Sequence, residues 1–393
     1  MNMARQEQVK MLPLFEERKD DMLAFLRKLA LFETPSRVPE SQDQIFIFLE
    51  ASFSEIGYST FRMPGKTSGG YFYSRPKDRE KNIPSQMIIG HVDTVWPIGT
   101  LETMPYEESA EKVKGPGVYD MKAGITQAYF ALKVLKEQGL KTPLCPLIIF
   151  NSDEEIGSRE STAAIARLAK ISDRAFVLEP PLGLDGKLKT ARKGLARFTI
   201  RVIGRAAHAG LNPEKGINAI LELSRIIQQL YEMNQPEKGI TINVGMVEGG
   251  MAANVIAPSS KAEIDVRVLN QQDADMITQK IMNINSANEE IQVIIEGGFG
   301  RFPMEKTERN QNLWALAKEQ GKILGLDLEQ ATAGGGSDGN TTSLYTATLD
   351  GLGTVGDGAH AQHEFIFIDK FIERTALLSL LLMADPIDNP EKS

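Results

Sequence analysis

The sequence has little cysteine, no long apolar run and no excess of positive charge. Its 393 residues include a single cysteine, Cys145, which excludes an intrachain disulfide. Cys145 begins an apolar run, so we interpret it as a small buried hydrophobe and not as a nucleophile. No stretch approaches the length of a membrane span. The net charge of −8 argues against nucleic acid or an anionic membrane as partner.

The N-terminal region is crowded with charges and lacks the apolar core of a signal peptide. We therefore expect a protein of the reducing cytoplasm, although a secreted protein whose signal peptide had been removed would have the same composition. Hydrophobic residues make up 42% and charged residues 24% of the chain, which are ordinary values for a globular protein. A chain of this length suits two domains.

Segments with the patterns of strands and helices alternate along the chain. The runs at 147–150 and 175–178 are continuously apolar, as expected of central strands covered on both faces. Apolar residues recur at helical spacing in 11–32 and 44–56, and again after Gly124. This alternation predicts an α/β fold with helices packed on a central mixed sheet.

The pattern changes between residues 192 and 301. The expected elements are a strand near 198–203, a helix at 216–233, strands at 240–246 and 261–269, a helix at 273–285 and a strand at 291–295. That order, β-α-β-β-α-β, is typical of a ferredoxin-like unit. We predict that 192–301 form a lid or dimerisation domain, inserted into a catalytic domain that comprises 1–191 and 302–393.

His91 and Asp93 follow a short apolar strand at 86–89. Both side chains can project in the same direction, and a carboxylate commonly orients a metal-bound imidazole through its second nitrogen. A His-x-Asp pair by itself is weak evidence, since many such histidines are merely satisfied core or surface residues. In the last third of the chain, His360 and His363 follow a glycine-rich loop, and only one of them is needed as a ligand.

Acidic residues end two further predicted strands or follow a glycine-rich loop. Three consecutive acids at 153–155 repel one another unless a cation compensates them; the alternative is a solvated acidic helix start. Glu179 ends an apolar strand, where an unpaired acid is costly. Asp120 alone would be interpreted as a cap of the following helix. Since ligands gather at the carboxyl ends of strands, these acids and two histidines together predict a pair of divalent ions and a hydrolase.

The loop at 334–339 is rich in glycine and invites comparison with a phosphate-binding loop. It lacks the Walker lysine, so we expect its backbone, Gly335 included, to approach a substrate closely. Because the chain also lacks a dinucleotide fingerprint, a nucleotide-binding protein is the weaker alternative.

Taken in order, these motifs resemble the co-catalytic zinc peptidases of metallopeptidase family 20. They are the His-x-Asp at 91–93, the Gly-x-Gly at 115–117 leading into 120–124, the acids at 153–155, the Glu-Pro at 179–180, the loop at 334–338, and His360. The family includes glutamate carboxypeptidases, acetylornithine deacetylase, succinyl-diaminopimelate desuccinylase, aminoacylase and tripeptidases. The motif spacings and the segment 204–210 are most similar to those of the bacterial glutamate carboxypeptidases.

The resemblance implies two Zn²⁺ ions per subunit, with Co²⁺ or Mn²⁺ as substitutes. Asp120 would bridge both ions. His91 and Glu179 would bind one ion, and Glu155 and His360 the other. The family pattern places its ligand histidine four residues before a glutamate, which favours His360 over His363.

The resemblance also assigns residues to the reaction. Glu154 would act as general base and then as general acid, and Asp93 would hold the imidazole of His91. His208, which sequence alone would leave as an ordinary loop histidine, would reach the active site of a neighbouring subunit and stabilise the oxyanion.

Two positions match substrate contacts of the family. Arg267 would grip the terminal carboxylate of the substrate, and Asn254 would contact the substrate from the lid. Lys187 and Arg301 fall where glutamate carboxypeptidases place further cations, although solvated surface charges are the alternative for both.

The resulting hypothesis is a homodimeric exopeptidase that releases a C-terminal amino acid, glutamate, from a small peptide or an N-acyl amino acid. An N-acyl-amino-acid deacylase is the alternative within the same chemistry. A catalytically silent relative, acting as a binding module, is the alternative from another class. The presence of Glu154 and Asp120 argues against a silent relative.

Overall fold

A computed structural model describes residues 11–80 and 83–387. The chain separates into two compact units. The first comprises Met1–Thr190, Lys306–Ala333 and Ser337–Ser393 within those described ranges, and the second comprises Ala191–Glu305 and Gly334–Gly336. No helix in the described part of the chain is long and apolar enough to span a membrane.

The helices and strands follow one another in mixed order. The α-helices are α1 (Met11–Glu16), α2 (Lys19–Ala30), α3 (Asp43–Glu55), α4 (Ala123–Glu137), α5 (Thr162–Ile171), α6 (Ala219–Glu232), α7 (Gln271–Met282), α8 (Glu308–Ile323), α9 (Asp338–Thr342) and α10 (Ile368–Met383). The strands are β1 (Tyr58–Met63), β2 (Tyr71–Pro76), β3 (Ser85–His91), β4 (Glu107–Glu108), β5 (Lys112–Lys114), β6 (Cys145–Asn151), β7 (Ser172–Val177), β8 (Leu188–Arg192), β9 (Gly194–Ile203), β10 (Thr241–Gly249), β11 (Ser259–Val268), β12 (Gln292–Arg301), β13 (Gln330–Ala333), β14 (Ala347–Leu349), β15 (Gly356–Asp357) and β16 (Phe365–Phe367).

The first unit is built on a six-stranded mixed sheet with the order β1-β2-β6-β3-β7-β14. The four neighbouring strands β6, β3, β7 and β14 run parallel to one another. β2 is antiparallel to both of its neighbours, β6 and β1. β3 and β6 are buried at every position. Ile88 faces one apolar core and Ile89 another, because successive residues of a strand point to opposite faces. The α/β prediction is confirmed.

The parallel strands end together at one edge of this sheet. In the register of β3 with β6, His91 pairs with Asn151, and in that of β3 with β7, Ile89 pairs with Val177. The acids at 153–155 and Glu179 therefore begin two residues beyond strand ends that lie side by side. This edge holds the candidate site.

The second unit is a four-stranded antiparallel sheet with the order β10-β11-β9-β12. Its elements follow one another as β9-α6-β10-β11-α7-β12, so the predicted ferredoxin-like order is confirmed. Along β9, buried and more exposed residues alternate. Phe198, Ile200 and Val202 join the apolar faces of α6 and α7 in a separate core.

Two element predictions differ most from the structure. The helix expected at 11–32 is divided into α1 and α2 where a run of charged residues interrupts the apolar spacing, and Arg18 there pairs with Glu137 at 2.6 Å.

The last strand of the second unit extends to Arg301, well beyond the predicted 291–295. Its glycines hid this extension, since glycine is rare in strands. At Gly297 a Cβ atom would lie only 2.1 Å from the carbonyl oxygen of Arg197.

Candidate metal centre and active site

His91 is the last residue of β3 and is almost fully buried, with 1% of its surface exposed. Its Nδ1 lies 2.9 Å from the main-chain oxygen of Asp93. Its Nε2 lies 3.2 Å from an Asp120 oxygen and 3.5 Å from a Glu179 oxygen. Burial lowers the pKa of His91, but these carboxylates outweigh it and raise the pKa well above its usual value. The lone pair of an unprotonated Nε2 would face the negative oxygens of Asp120 and Glu179. This arrangement requires a cation between Nε2 and the carboxylates, either a proton or a metal ion.

Asp120 lies in the turn at Val118–Lys122, which leads into α4. Burial raises the pKa of this carboxyl, but the imidazoles of His360 and His91 outweigh burial and hold the pKa well below its usual range. Gly124 allows α4 to approach the end of β7, since a Cβ atom at this position would lie 2.4 Å from the carbonyl oxygen of Leu178. This close approach brings Asp120 near Glu179.

Glu155 and His360 form the other side of the site. Their Oε2 and Nε2 atoms are 3.1 Å apart, and Nε2 of His360 lies 3.5 Å from the second oxygen of Asp120. Asp120 and Glu155 raise the pKa of His360 to about 10. Oε1 of Glu155 is buried and has no hydrogen-bond partner among the described residues. Such an orphaned carboxylate oxygen is costly unless a ligand satisfies it.

Two groups of side chains could therefore hold metal ions, and they share Asp120. One is His91, Asp120 and Glu179, and the other is Asp120, Glu155 and His360. In each group the ligand atoms lie within 4.8 Å of one another. The donor set of two imidazoles and three carboxylates fits borderline divalent ions such as Zn²⁺. The exposed His363 belongs to neither group.

Glu154 and Glu155 lie in a short helical turn, Glu154–Ile156. The carboxylate of Asp93 holds this turn: its Oδ1 accepts the backbone N–H of Glu154 at 3.3 Å and its Oδ2 that of Glu155 at 3.1 Å. The hydroxyl of Ser36 donates a third bond to Oδ2 at 2.7 Å. Asp93 therefore positions the acidic turn as well as lying beside His91.

The residues on either side of the acidic turn at 154–156 form hydrogen bonds with Asp338, near the end of the glycine-rich loop at 334–339. Asp338 is 2% exposed. It accepts a bond from Nδ2 of Asn151 at 2.8 Å and another from the hydroxyl of Ser158. Ser158 has a left-handed backbone with φ of 52°, an uncommon conformation for a residue with a side chain. Asp153 lies in the same buried network, where it accepts the hydroxyl of Ser161 at 2.6 Å.

Glu364 is a buried acid that sequence reasoning used only as a marker for His360. It is 1% exposed and accepts backbone N–H bonds from Gly117 and Tyr119, each at 2.9 Å, and from Asp120 at 3.1 Å. Burial raises the pKa of Glu364 to about 7, although these donors lower it.

Lys122 is a second buried charge near the site that the sequence analysis missed. Its Nζ donates to the main-chain oxygen of Phe32 at 2.7 Å, and burial lowers its pKa to about 8. The sequence already distinguishes Lys122, because Lys122 is the one lysine between the Gly-x-Gly at 115–117 and the strongly apolar helix α4.

His208 belongs to the second unit and is exposed. Its Nδ1 accepts the backbone N–H groups of Gly210 at 3.1 Å and Leu211 at 3.2 Å. In the neutral ring the proton is therefore on Nε2. Nε2 can act as a hydrogen-bond donor toward a ligand.

Three other predicted substrate contacts also lie in the second unit. Arg267 donates from Nε to Asp265 and from Nη1 to the main-chain oxygen of Gly334, both at 2.9 Å. The oxygen of Gly335 accepts a bond from Arg192 at 3.0 Å. The side chain of Asn254 is exposed, and its main-chain oxygen accepts the N–H of Ala209 at 2.9 Å.

The two remaining predicted cations have different surroundings. Lys187, in the first unit, lies 2.7 Å from Glu329, so its charge is compensated within the chain. Arg301, in the second unit, is 8% exposed. Solvent therefore reaches little of its side chain.

The fold and the two candidate metal groups are those expected of a metal-dependent hydrolase with an inserted dimerisation domain. Residues 190–291 match the M20 peptidase dimerisation domain. The chain is 29% identical to carboxypeptidase G2 of a Pseudomonas species over 384 residues, which cover 94% of this chain and 91% of that protein. The chain is therefore related to the M20 metallopeptidases.

Solved structures show the same fold. The aminopeptidase PepT of Bacillus cereus superposes with a TM-score of 0.79 at 19% identity, covering 93% of this chain and 98% of that one. The YxeP protein of Bacillus subtilis, described as a dinuclear metal-binding M20 peptidase, superposes with a TM-score of 0.71 at 15% identity, covering 94% and 98%. The predicted relationship to these peptidases is confirmed.

Proposed function

We propose that the protein is a metal-dependent carboxypeptidase of the glutamate carboxypeptidase type. It would hydrolyse the amide bond that releases a C-terminal amino acid, with glutamate preferred, from peptidyl or N-acyl substrates. The observation that carries this proposal is the pair of ligand groups that share Asp120 at the carboxyl ends of β3, β6 and β7. The full-length similarity to carboxypeptidase G2 favours a carboxypeptidase over other hydrolases.

Two Zn²⁺ ions are the proposed cofactors, with Co²⁺ or Mn²⁺ as substitutes. Bound in the two groups, they would supply Lewis acidity that polarises the scissile carbonyl and makes water acidic enough to react near neutral pH. Asp120 would bridge them, with His91 and Glu179 on one side and Glu155 and His360 on the other. The orphaned Oε1 of Glu155 supports this assignment, because this buried oxygen has no hydrogen-bond partner among the described residues.

Glu154 is the proposed general base and acid. It would take a proton from the attacking water and deliver it to the departing amine nitrogen, so that the amide C–N bond breaks as the new C–O bond forms. Asp93 would keep Glu154 in place through the backbone of the acidic turn, and would orient His91 at the same time. The short turn and its hydrogen bonds to Asp93 support a fixed position for the base.

Substrate recognition is proposed to rest on the second unit. Arg267 would grip the terminal carboxylate, since a guanidinium matches a carboxylate with two parallel bonds. Asn254 and the backbone of Gly335 would add neutral contacts. Lys187 and Arg301 are proposed to favour an acidic side chain at the C-terminal residue, although Lys187 would have to leave Glu329 to do so.

A homodimer is the proposed assembly, and His208 is proposed to complete the active site of the neighbouring subunit. β10 is an edge strand of its sheet, and its Met246 and Val247 are 54% and 57% exposed. Leu221 on α6 is 52% exposed as well. An unpaired edge lined by apolar side chains favours pairing with a second copy. The Nε2 donor of His208 has the character needed to stabilise an oxyanion.

The experiment that tests this function is hydrolysis of a substrate panel by zinc-loaded and by chelator-treated protein. The panel contains dipeptides and N-acyl amino acids that end in glutamate, aspartate, neutral and basic residues. Metal-dependent release with a preference for glutamate is expected. Efficient hydrolysis of acetyl- or succinyl-amino acids without that preference would replace the proposal with a deacylase. Equal rates with and without metal would refute both.

A further inference from the structure

We infer that Glu364 is a positioning residue that fixes the geometry of the metal centre by joining three separate ligand-bearing segments. This inference rests on the ligand assignment of the proposed function. The segments are 91–96, which carries His91; 117–120, which carries Asp120; and 360–364, which carries His360. Among the described residues, the Glu364 carboxylate makes no hydrogen bond to the side chain of a candidate ligand, so its role is indirect.

The contacts of the Glu364 carboxylate divide among these segments. Oε1 accepts the backbone N–H groups of Tyr119 and Asp120, at 2.9 and 3.1 Å. Oε2 accepts the backbone N–H of Gly117 and the indole Nε1–H of Trp96, both at 2.9 Å. Glu364 itself follows His360 by four residues. One side chain therefore links all three segments.

The arrangement depends on a carboxylate. Four N–H groups converge on two oxygens, and an ionised carboxylate is the side chain that only accepts. A glutamine of the same size would offer one acceptor and would direct its own N–H₂ group at donors. The segment 117–120 would then lose hydrogen bonds from its backbone N–H groups to residue 364. These groups are buried, and leaving a buried donor without an acceptor is costly. Asp120, the shared ligand, is part of that segment.

The effect on metal binding follows from this geometry. Residues that orient metal ligands through hydrogen bonds, without binding the metal themselves, typically contribute 10- to 100-fold to metal affinity. Displacing Asp120 affects both groups, because its carboxylate belongs to each. We therefore expect Glu364→Gln to weaken the binding of both ions together.

The test measures zinc affinity by competition with a chromophoric chelator, for the unmodified protein and for Glu364→Gln. Trp96 supplies a second readout, since the chain has two tryptophans and Trp314→Phe leaves Trp96 as the sole tryptophan, which can be excited selectively. The matched control is Glu222→Gln. Glu222 is also buried, at 5% exposure, but lies on α6 of the second unit and pairs with Arg225 at 3.0 Å.

The expected result is that Glu364→Gln weakens zinc affinity by about 10- to 100-fold, while Glu222→Gln leaves it unchanged. In the Trp314→Phe background, Trp96 emission should change on zinc addition and shift in Glu364→Gln before any metal is added. If Glu364→Gln does not fold, the zinc response of Trp96 in the Trp314→Phe protein remains a direct test. Equal zinc affinity of Glu364→Gln and the unmodified protein would overturn this inference and leave the proposed function intact. A Trp96 emission that does not change when zinc is added would do the same. Absence of zinc binding by the unmodified protein would overturn the proposed function and this inference with it.

Discussion

The carboxylate of Asp93 accepts the backbone N–H of Glu155 at 3.1 Å, so an acid that follows β3 holds a candidate metal ligand that follows β6. The same carboxylate accepts the N–H of Glu154. The proposed base and a proposed ligand therefore share one support, although their side chains are given different chemical roles. Substitutions of the two glutamates should separate these roles.

Glu154→Gln should abolish turnover and leave metal content and folding intact. The amide has nearly the same shape as the carboxylate but cannot take a proton from water, and loss of a general base costs roughly 10²- to 10⁴-fold in rate. Steady-state kinetics, together with metal analysis by plasma mass spectrometry, tests this. A variant that retains substantial activity would show that the base lies elsewhere.

Substitution of the ligands should change the number of bound ions in a defined way. His91→Ala and His360→Ala each disrupt one group and should bind one ion per chain, whereas Asp120→Ala disrupts both and should bind neither tightly. His363→Ala is the matched control, because this histidine lies three residues from His360 but in neither group. Equilibrium dialysis against zinc gives the counts. Two tightly bound ions in Asp120→Ala would contradict the shared-ligand assignment.

Gly124→Ala should destabilise the first unit and loosen its metal site. The added methyl group would lie 2.4 Å from the carbonyl oxygen of Leu178, and overpacking of this kind typically costs about 1–3 kcal/mol. Thermal unfolding in the presence of a chelator measures this cost, and zinc titration measures the site. Gly300→Ala is the control, since its Cβ would have no neighbour within 4 Å. Comparable stability of the two variants would contradict the close contact between α4 and β7.

Arg267→Ala should raise KM for substrates with a free terminal carboxylate. Hydrogen bonds to charged groups contribute about 1.5–3 kcal/mol, which corresponds to a rise of roughly ten- to a hundredfold. Lys187→Ala should have a smaller effect, because Glu329 already compensates Lys187. Comparing peptides with their C-terminal amides identifies the contact. If Arg267→Ala discriminates the two as strongly as the unmodified protein does, Arg267 does not bind the carboxylate.

His208→Ala and Glu154→Gln should complement each other when mixed. If His208 acts in the neighbouring subunit, a heterodimer of the two inactive proteins has one site with both residues. Random exchange between symmetric dimers should then restore about a quarter of the normal activity. Each variant mixed with itself is the control. Failure of the mixture to gain activity, with subunit exchange verified by mass labels, would show that His208 does not act across subunits.

Much of the first unit could be predicted from local sequence. β6 and β7 are continuous apolar runs because both faces are covered, and the acids that follow them mark the edge of the sheet where the site forms. The order of elements in the second unit also followed from alternation and helical spacing. The end of β12 did not, since Gly297 and its neighbours resemble a loop.

The buried residues around the candidate ligands could not be predicted from local sequence. Glu364 and Asp120 are 244 positions apart, and no local pattern encodes such a contact. Lys122 and Asp338 are polar residues whose burial follows from tertiary packing. The roles of all the predicted site residues, the preference for glutamate, the identity of the metal and the cytoplasmic location stay predictions.

The insertion of the second unit into the first has a consequence for biosynthesis. His360 and Glu364 are translated after the whole inserted unit, so a nascent chain can complete the order β9 to β12 while one of its candidate metal groups still lacks a histidine. Contacts of such long sequence separation form slowly, because the intervening chain must be ordered first. In the proposed ligand assignment, the group formed by Asp120, Glu155 and His360 is therefore complete only after the inserted unit has been synthesised.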